Sequence, residues 1–243
     1  MPTILILGAT SDIGYAIARK FAEKKFDVQL AARNVDQLKA LQSDIRIRYS
    51  VHCSIYSFDG LQFETHQSFY DQLNPKPDLA VYVIGYMNDN EKVIGDWSES
   101  LKTINTNYTA AVSILNIVAG DFSNRATGTI VGISSVAGNR GRQSNYIYGS
   151  AKAGFTAYLS GLRNRMYHYN VHVLTVLPGF VYTRMTEHLQ LPKLLTAKPE
   201  QVAASVYKGV TKKKNIIYIK WFWRWIMLII TAIPESLFKK RKL

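Results

Sequence analysis

A tyrosine, a lysine and a serine are spaced so that they could move a proton together. Tyr148 and Lys152 lie four residues apart in YIYGSAK, which places both side chains on one face of a helix. A free tyrosine has a pKa of about 10, and a neighbouring ammonium group lowers it by favouring the phenolate. Ser135 ends the apolar stretch GTIVGISS at residues 128–135. Its hydroxyl is placed to hold a substrate oxygen, so the three residues predict acid–base catalysis.

A glycine-bearing turn follows the first apolar stretch of the chain. LGATSDIGYAIA joins a predicted strand to an amphipathic helix, with Gly8 and Gly14 on either side of the turn. Glycines let the backbone approach a pyrophosphate, and the helix N-terminus offers free N–H groups to it. Asp12 stands where a third glycine is common; its carboxylate could cap the helix, but it also brings negative charge near the phosphate site. The loop residues expected at a dinucleotide are Gly8, Thr10, Ser11, Asp12, Ile13 and Gly14.

The ends of the second and third predicted strands bear on the choice of dinucleotide. Arg33 ends LAAR, where an acidic residue would bind a ribose hydroxyl and an arginine suits a 2′-phosphate. NADPH is therefore preferred to NADH; the alternative is that Arg33 merely begins a surface helix. Asp59 is placed to reach an adenine amino group, or is an ordinary turn aspartate.

Alternating patterns along the chain position these residues. Predicted strands lie at 3–8, 27–33, 49–58, 78–85, 128–135, 171–179 and 215–220, and most are continuous apolar runs. Predicted helices lie at 13–24, 35–47, 61–73, 97–122, 146–169 and 199–212. This order predicts an α/β fold, a doubly wound parallel sheet of the Rossmann type, covered on both faces. No linker or repeat divides the chain, so residues 1–243 are expected to form a single domain.

Together these motifs resemble the classical short-chain dehydrogenases/reductases. The resemblance rests on GATSDIG, the Ser135–Tyr148–Lys152 spacing and PGFVYT at 178–183, and it spans residues 3–220. It implies that Tyr148 is the general acid/base, that Ser135 orients the carbonyl, and that Lys152 binds the nicotinamide ribose. An asparagine on the long central helix would complete a proton relay; Asn107 fits best and Asn105 is the weaker candidate. Further cofactor contacts implied are Gly85, Pro178, Gly179, Val181 and Thr183. YVIG at 82–85 and Asp12 depart from the family pattern.

A finer resemblance concerns the substrate. NYTAAVSIL, PGFVYTRMTEHL and IIYIKWFWRWIMLIITAIPESLFKK are similar to the decaprenylphosphoryl-2-keto-erythro-pentose reductases of the decaprenylphosphoryl-arabinose pathway. The resemblance implies reduction of a 2-keto-pentofuranose on a polyprenyl phosphate, with NADPH or NADH, beside a separate flavin-dependent oxidase. The alternatives are a soluble NADPH carbonyl reductase for another lipid or acyl ketone, and a non-catalytic dinucleotide-binding scaffold. A nucleic-acid partner would rest on charge alone, because no recognition motif is present.

Three arginines are candidates for an anionic substrate group. Arg140 and Arg142 lie between Ser135 and Tyr148, and Arg184 opens TRMTEHLQL, a predicted mobile lid. Arginine binds phosphate through paired hydrogen bonds. The alternative is that these side chains are solvated or lie at a subunit contact in a homo-oligomer.

The segment 221–243 is apolar and then basic. WFWRWIMLIITAIP holds three of the four tryptophans, and nine of the thirty Lys and Arg lie between 212 and 242 in a chain of net charge +13. The apolar run is too short to cross a bilayer, which needs about 20 residues. It predicts either a helix lying in one leaflet or a helix buried against protein. We therefore expect a cytoplasmic enzyme, peripheral to the inner face of the membrane, with no signal peptide. One cysteine, and histidines without ligand spacing, predict neither disulfides nor a metal site.

Overall fold

The chain folds around one seven-stranded parallel sheet, as seen in a computed structural model that describes residues 1–187 and 190–241. Continuous apolar runs form these strands because both faces of the sheet are covered. The sheet order is β3-β2-β1-β4-β5-β6-β7, so the strand order reverses direction between β1 and β4. This confirms the predicted doubly wound fold. The strands are β1 (Thr3–Leu7), β2 (Asp27–Ala32), β3 (Cys53–Ser57), β4 (Leu79–Tyr82), β5 (Thr129–Ile133), β6 (His172–Pro178) and β7 (Ile216–Ile219).

Helices cover both faces of the sheet. They are α1 (Asp12–Glu23), α2 (Lys39–Tyr49), α3 (His66–Asp71), α4 (Asn90–Gly95), α5 (Trp97–Ile104), α6 (Ala110–Arg125), α7 (Tyr146–Tyr167), α8 (Pro199–Thr211), α9 (Phe222–Ala232) and α10 (Glu235–Phe238). Alternate residues of β1 point to opposite faces. Ile4 and Ile6 pack with α1, α2 and α8, whereas Leu5 and Leu7 pack with α3, α6 and α7.

The predicted helix over 97–122 is interrupted at its centre. Residues Asn105–Thr109 form a π turn between α5 and α6. The Asn107 amide donates to the Thr103 carbonyl oxygen at 2.8 Å, and the Tyr82 hydroxyl donates to the Thr106 carbonyl oxygen at 2.9 Å. These side chains satisfy carbonyls around the wider turn, and such turns are frequent at functional sites.

Other boundaries also differ from the sequence predictions. β3 covers 53–57 rather than 49–58, and the predicted helices at 35–47 and 61–73 each begin with a short 3₁₀ turn. α4 and α10 were not predicted, because neither is long enough to show a helical period. The predicted lid at 183–191 includes residues 188–189, which lie outside the described residues.

α9 lies beyond the edge strand β7 and packs by one face only. Trp223 and Met227 are buried against Val136 and Leu177. The opposite face exposes Trp225, Leu228 and Ile229 to solvent. Among the described residues, no helix combines the length and apolar character needed to cross a membrane.

Candidate active site

A cavity of about 660 Å³ opens at the carboxyl edge of the sheet, where ligands bind in folds of this class. Most of the residues predicted at the cofactor and the reacting centre line it. They are Gly8, Thr10, Ser11, Asp12, Ile13, Arg33, Asp59, Gly85, Ser135, Arg142, Tyr148, Lys152, Pro178, Gly179, Val181, Thr183 and Arg184. Gly14, Asn107 and Arg140 do not line this cavity.

The loop between β1 and α1 is built by close backbone packing. Gly8 has a φ of +99°, and a Cβ there would lie 2.8 Å from Ile84 Cγ1. A Cβ on Gly14 would lie 2.6 Å from the Gly8 carbonyl oxygen. The Gly14 N–H donates to the Ser11 hydroxyl at 3.1 Å, so Ser11 caps α1. The helix-capping role expected for Asp12 is therefore wrong. The cradle fits a pyrophosphate, because only glycine leaves its backbone accessible at these positions.

Arg33 and Asp59 lie at the far end of the same cavity. Arg33 is exposed, which leaves its guanidinium accessible to a 2′-phosphate. The Asp59 carboxylate accepts the Leu61 N–H at 3.0 Å, as an ordinary turn aspartate does. The Asp59 carbonyl oxygen lies 3.3 Å from Nε2 of the buried His66. The structure therefore gives Asp59 a turn-forming contact at the edge of the cavity.

Ser135, Tyr148 and Lys152 meet where β5 ends and α7 begins. The Ser134 hydroxyl donates to the Lys152 carbonyl oxygen at 3.0 Å, which ties the strand end to the helix. The Lys152 ammonium donates to the Ile133 carbonyl oxygen at 3.3 Å and lies 5.8 Å from the centre of the Tyr148 ring. Ser135, Tyr148 and Lys152 all line the cavity, so the three side chains share one site, and their catalytic roles stay predictions.

The electrostatics of this group differ from the sequence expectation. Burial raises the pKa of Tyr148 to about 12, and a hydrogen bond with Ser135 acts in the opposite direction. Lys152 was expected to lower this pKa, but the pKa is raised by desolvation, and the opposing influence comes from Ser135. Burial also lowers the pKa of Lys152 to about 8. At neutral pH the phenol is therefore protonated and the lysine is mostly cationic.

Asn107 is fully buried in the π turn, behind the cavity wall. Its amide nitrogen donates to the Tyr86 carbonyl oxygen at 2.6 Å, and its amide oxygen accepts the Tyr86 N–H at 3.2 Å. A Cβ on Gly85 would lie 3.4 Å from the Asn107 oxygen and 3.8 Å from the Lys152 ammonium. Asn107 thus fixes the loop after β4 beside Lys152.

Arg140 does not face the cavity, so its predicted contact with a substrate phosphate is wrong. One guanidinium nitrogen donates to the carbonyl oxygens of Ile230, Thr231 and Ile233, and the other pairs with Glu235 at 2.8 Å. The guanidinium also lies 3.8 Å from the centre of the Phe238 ring. The side chain is committed to the carbonyl groups that the end of α9 leaves free.

Arg142 does face the cavity, beside two groups that the sequence did not single out. Its guanidinium donates to the Met227 sulfur at 3.3 Å, and burial lowers its pKa. Among the described residues it forms no salt bridge. Asn145 also lines the cavity, but its amide oxygen is buried beneath the surface and has no hydrogen-bond partner in the part of the chain that the structure describes. A half-buried cation without a carboxylate partner suits a substrate that carries an anion.

Trp223 closes one side of the cavity. A Cβ on Gly179 would lie 2.0 Å from its indole ring, so the tryptophan rests directly on the backbone after β6. The indole N–H donates to the Leu195 carbonyl oxygen at 3.1 Å. The sequence marked the apolar run that contains Trp223 but not which of its tryptophans points inward. Trp223 and Met227 lie four residues apart, and this helical spacing was the signal that could have identified Trp223 as the inward-facing tryptophan.

Arg184 points to the phosphate loop rather than to the substrate side. Its backbone N–H donates to Asp12 Oδ2 at 2.8 Å, its Nε lies 3.4 Å from Asp12 Oδ1, and its guanidinium donates to the Thr10 carbonyl oxygen. Its predicted role at the substrate phosphate is therefore wrong in this geometry. Within residues 1–187 and 190–241, no group of three or more His, Cys, Asp or Glu is placed to hold a metal ion.

Comparison with known proteins shows the family to which this chain belongs. The model of the short chain dehydrogenase family matches residues 2–193. An uncharacterized oxidoreductase of Mycobacterium tuberculosis is 32% identical over 240 residues, covering 98% of this chain and 96% of the relative. An uncharacterized oxidoreductase of Streptomyces coelicolor is 30% identical over 244 residues, covering 98% and 95%.

A solved structure supports the same architecture. The short-chain dehydrogenase from Sphingobium yanoikuyae in complex with NADPH has a TM-score of 0.83 and 23% sequence identity. The likeness covers 97% of this chain and 98% of that one. At this identity the likeness shows the fold. The family model and the two relatives show the family.

Proposed function

Because the chain belongs to the short chain dehydrogenase family and is an oxidoreductase, we propose that it is an NADPH-dependent reductase of a lipid-linked ketone. The substrate proposed is the 2-keto-pentofuranose of a polyprenyl phosphate. The observation that carries this proposal is the cavity itself. It joins a dinucleotide cradle to Ser135, Tyr148 and Lys152, and then to Arg142, which forms no salt bridge with any described residue, and to an apolar wall.

The residues at the reacting centre suit reduction. NADPH, when bound, supplies the hydride for the carbonyl carbon. The Ser135 hydroxyl donates a hydrogen bond to the carbonyl oxygen, and the Tyr148 phenol gives that oxygen its proton, which yields the alcohol. A Tyr148 pKa of about 12 keeps the phenol protonated before the step, and the Lys152 cation stabilises the phenolate that remains. Lys152 would also hold the nicotinamide ribose, and Asn107 would support a water-linked route that returns a proton to Tyr148.

The choice of NADPH rests on the rim of the cradle. Arg33 is exposed at the end of β2, with a guanidinium suited to a 2′-phosphate. The NADPH complex of the Sphingobium yanoikuyae enzyme supports the same choice by fold. NADH stays the alternative cofactor. Pro178, Gly179, Val181 and Thr183 line the cavity at the place proposed for the nicotinamide.

The substrate side suits an anionic sugar lipid. Arg142 can hold the phosphate through charge-assisted hydrogen bonds, and Asn145 also lines this part of the cavity. Trp223, Phe180 and Met185 give an apolar surface for the first lipid units. A soluble reductase for another lipid or acyl ketone would use the same wall without needing Arg142. The complete Ser135, Tyr148 and Lys152 group weighs against a non-catalytic scaffold.

The exposed face of α9 supports contact with a membrane surface. Trp225, Leu228 and Ile229 share this face, and the basic residues Lys239, Lys240 and Arg241 follow it closely in the chain. An apolar stripe flanked by cations suits the interface of an anionic bilayer. We place the enzyme at the cytoplasmic surface of the membrane, where a separate flavin-dependent oxidase would supply the ketone. Assembly into a homo-oligomer is part of the same proposal.

The test is NADPH consumption with a polyprenyl-phosphate ketopentose and with a neutral ketopentose ether of the same lipid. We expect Tyr148→Phe to abolish turnover with both and to keep NADPH binding. Arg142→Gln should raise KM for the phosphate substrate at least tenfold, about 1.4 kcal/mol, and leave KM for the neutral one within about twofold. Equal changes in KM for the two substrates would show that Arg142 does not bind the phosphate. No turnover with either ketone, together with tight NADPH binding, would favour the scaffold.

A further inference from the structure

The Asp12 carboxylate in the phosphate loop is in direct contact with an arginine from another loop of the cavity wall. Asp12 is the first residue of α1, at a position where negative charge competes with a bound phosphate. Arg184 lies in the segment that follows β6, directly after Thr183. Three contacts join the two loops: the Arg184 N–H to Asp12 Oδ2 at 2.8 Å, its Nε to Asp12 Oδ1 at 3.4 Å, and its guanidinium to the Thr10 carbonyl oxygen.

The physical problem that this pair solves is one of charge. A helix N-terminus favours an anion through its free N–H groups and its dipole. A carboxylate in the first turn takes up part of that stabilisation and repels a second anion placed beside it. Asp12 and Arg184 both line the cavity that also holds Thr10 and Ser11. A pyrophosphate in the cradle would therefore meet the carboxylate and the guanidinium together.

We infer that Arg184 is a positioning residue for the cofactor, which neutralises Asp12 and donates its remaining N–H groups to the dinucleotide pyrophosphate. A guanidinium has five N–H donors, so contacts with Asp12 and Thr10 leave donors for a phosphate oxygen. One cation thus bridges two anions, one from the chain and one from the cofactor. The inference rests on the proposed dinucleotide-binding function but is independent of the ketone.

The experiment is a cycle of four proteins: wild type, Arg184→Gln, Asp12→Asn and the double variant. Their NADPH dissociation constants are measured by fluorescence at low and at high salt. Arg184→Gln should weaken binding by about tenfold or more, because it removes a charge-assisted contact and leaves the Asp12 carboxylate uncompensated. The double variant should bind several-fold more tightly than Arg184→Gln, because the repelling carboxylate is gone. The loss in Arg184→Gln should shrink at high salt.

The matched control is Arg19→Gln. Arg19 is also an arginine close to the phosphate loop, on α1, but its guanidinium pairs with Asp44 at 3.3 Å. The Arg19→Gln variant therefore loses one positive charge from the same region. Its NADPH affinity should stay within about twofold of that of the wild type. Thermal unfolding of all variants identifies any that fold poorly; for such a variant, Arg184→Lys, which restores the charge, should recover part of the affinity.

The outcomes separate two failures. If Arg184→Gln binds NADPH as wild type does, or if the double variant binds no better than Arg184→Gln, the inference is overturned and the pair only fixes the loop. If the wild-type chain binds neither NADPH nor NADH, the proposed function itself fails. Rescue by Asp12→Asn at unchanged thermal stability supports the inference, whereas rescue that only follows restored thermal stability assigns the pair to fixing the loop and overturns it.

Discussion

Helices α1 and α9 both border the cavity, yet their outer faces are opposite in character. α1 buries Ile17 and Phe21 in the core, and its other face carries Arg19 and Lys20 in ion pairs. α9 buries Trp223 and Met227, but its other face carries Trp225, Leu228 and Ile229 in the open. A helix that packs only against the rest of its own chain has a polar outer face, as α1 has. The apolar outer face of α9 calls for an apolar neighbour, which we propose is the membrane interface.

The largest effect should come from the inner faces, where the two helices ought to behave alike. Trp223→Ala should lower the free energy of unfolding by about 3–5 kcal/mol, and Ile17→Ala by about 2–5 kcal/mol, because each leaves a cavity. The two should differ in function, since Trp223→Ala also opens the cavity wall and raises KM for the ketone. Denaturant unfolding and steady-state kinetics measure both. A loss below about 1 kcal/mol for Trp223→Ala would show that α9 is not part of the folded core.

A smaller effect should distinguish how the helices are held. Arg140→Met should cost roughly 1.5–3 kcal/mol, because it strips charged hydrogen bonds from three carbonyl oxygens at the end of α9. Arg19→Met, which breaks one partly exposed pair on α1, should cost at most about 1 kcal/mol. Unfolding of the two variants under identical conditions makes the comparison. Equal costs would mean that Arg140 does not hold α9 in solution.

The smallest effect on stability should come from the outer faces. Trp225→Ser with Leu228→Ser on α9, and Tyr15→Ser on α1, should each change the unfolding free energy by less than about 0.5 kcal/mol per site. Flotation with phosphatidylglycerol vesicles should then separate them: only the α9 pair should lose vesicle binding. Wild-type protein that stays off the vesicles would remove the membrane proposal. A pair that instead splits a wild-type oligomer on gel filtration would assign this face to a protein interface.

The sheet and the reacting group were predictable because their signals are local. Continuous apolar runs marked the strands, and the four-residue spacing of Tyr148 and Lys152 survives in any helix. Arg140 was misassigned because its partners lie 90 or more positions away, at the end of α9. Arg184 was misassigned for the same reason, since Asp12 is 172 positions away. The pKa of Tyr148 was expected to fall, because spacing reveals a neighbouring charge but not the depth of burial that outweighs it.

The contact of Trp223 with Gly179 also bears on how the protein is made. α9 follows every other element that lines the cavity, so it leaves the ribosome after them. The residues of the dinucleotide cradle and of the Ser135–Tyr148–Lys152 group are therefore synthesised before the helix that covers them. Until α9 arrives, Leu177, Phe180 and Val136 lack their cover. A chain at that stage exposes this apolar surface, and only the packing of α9 covers it.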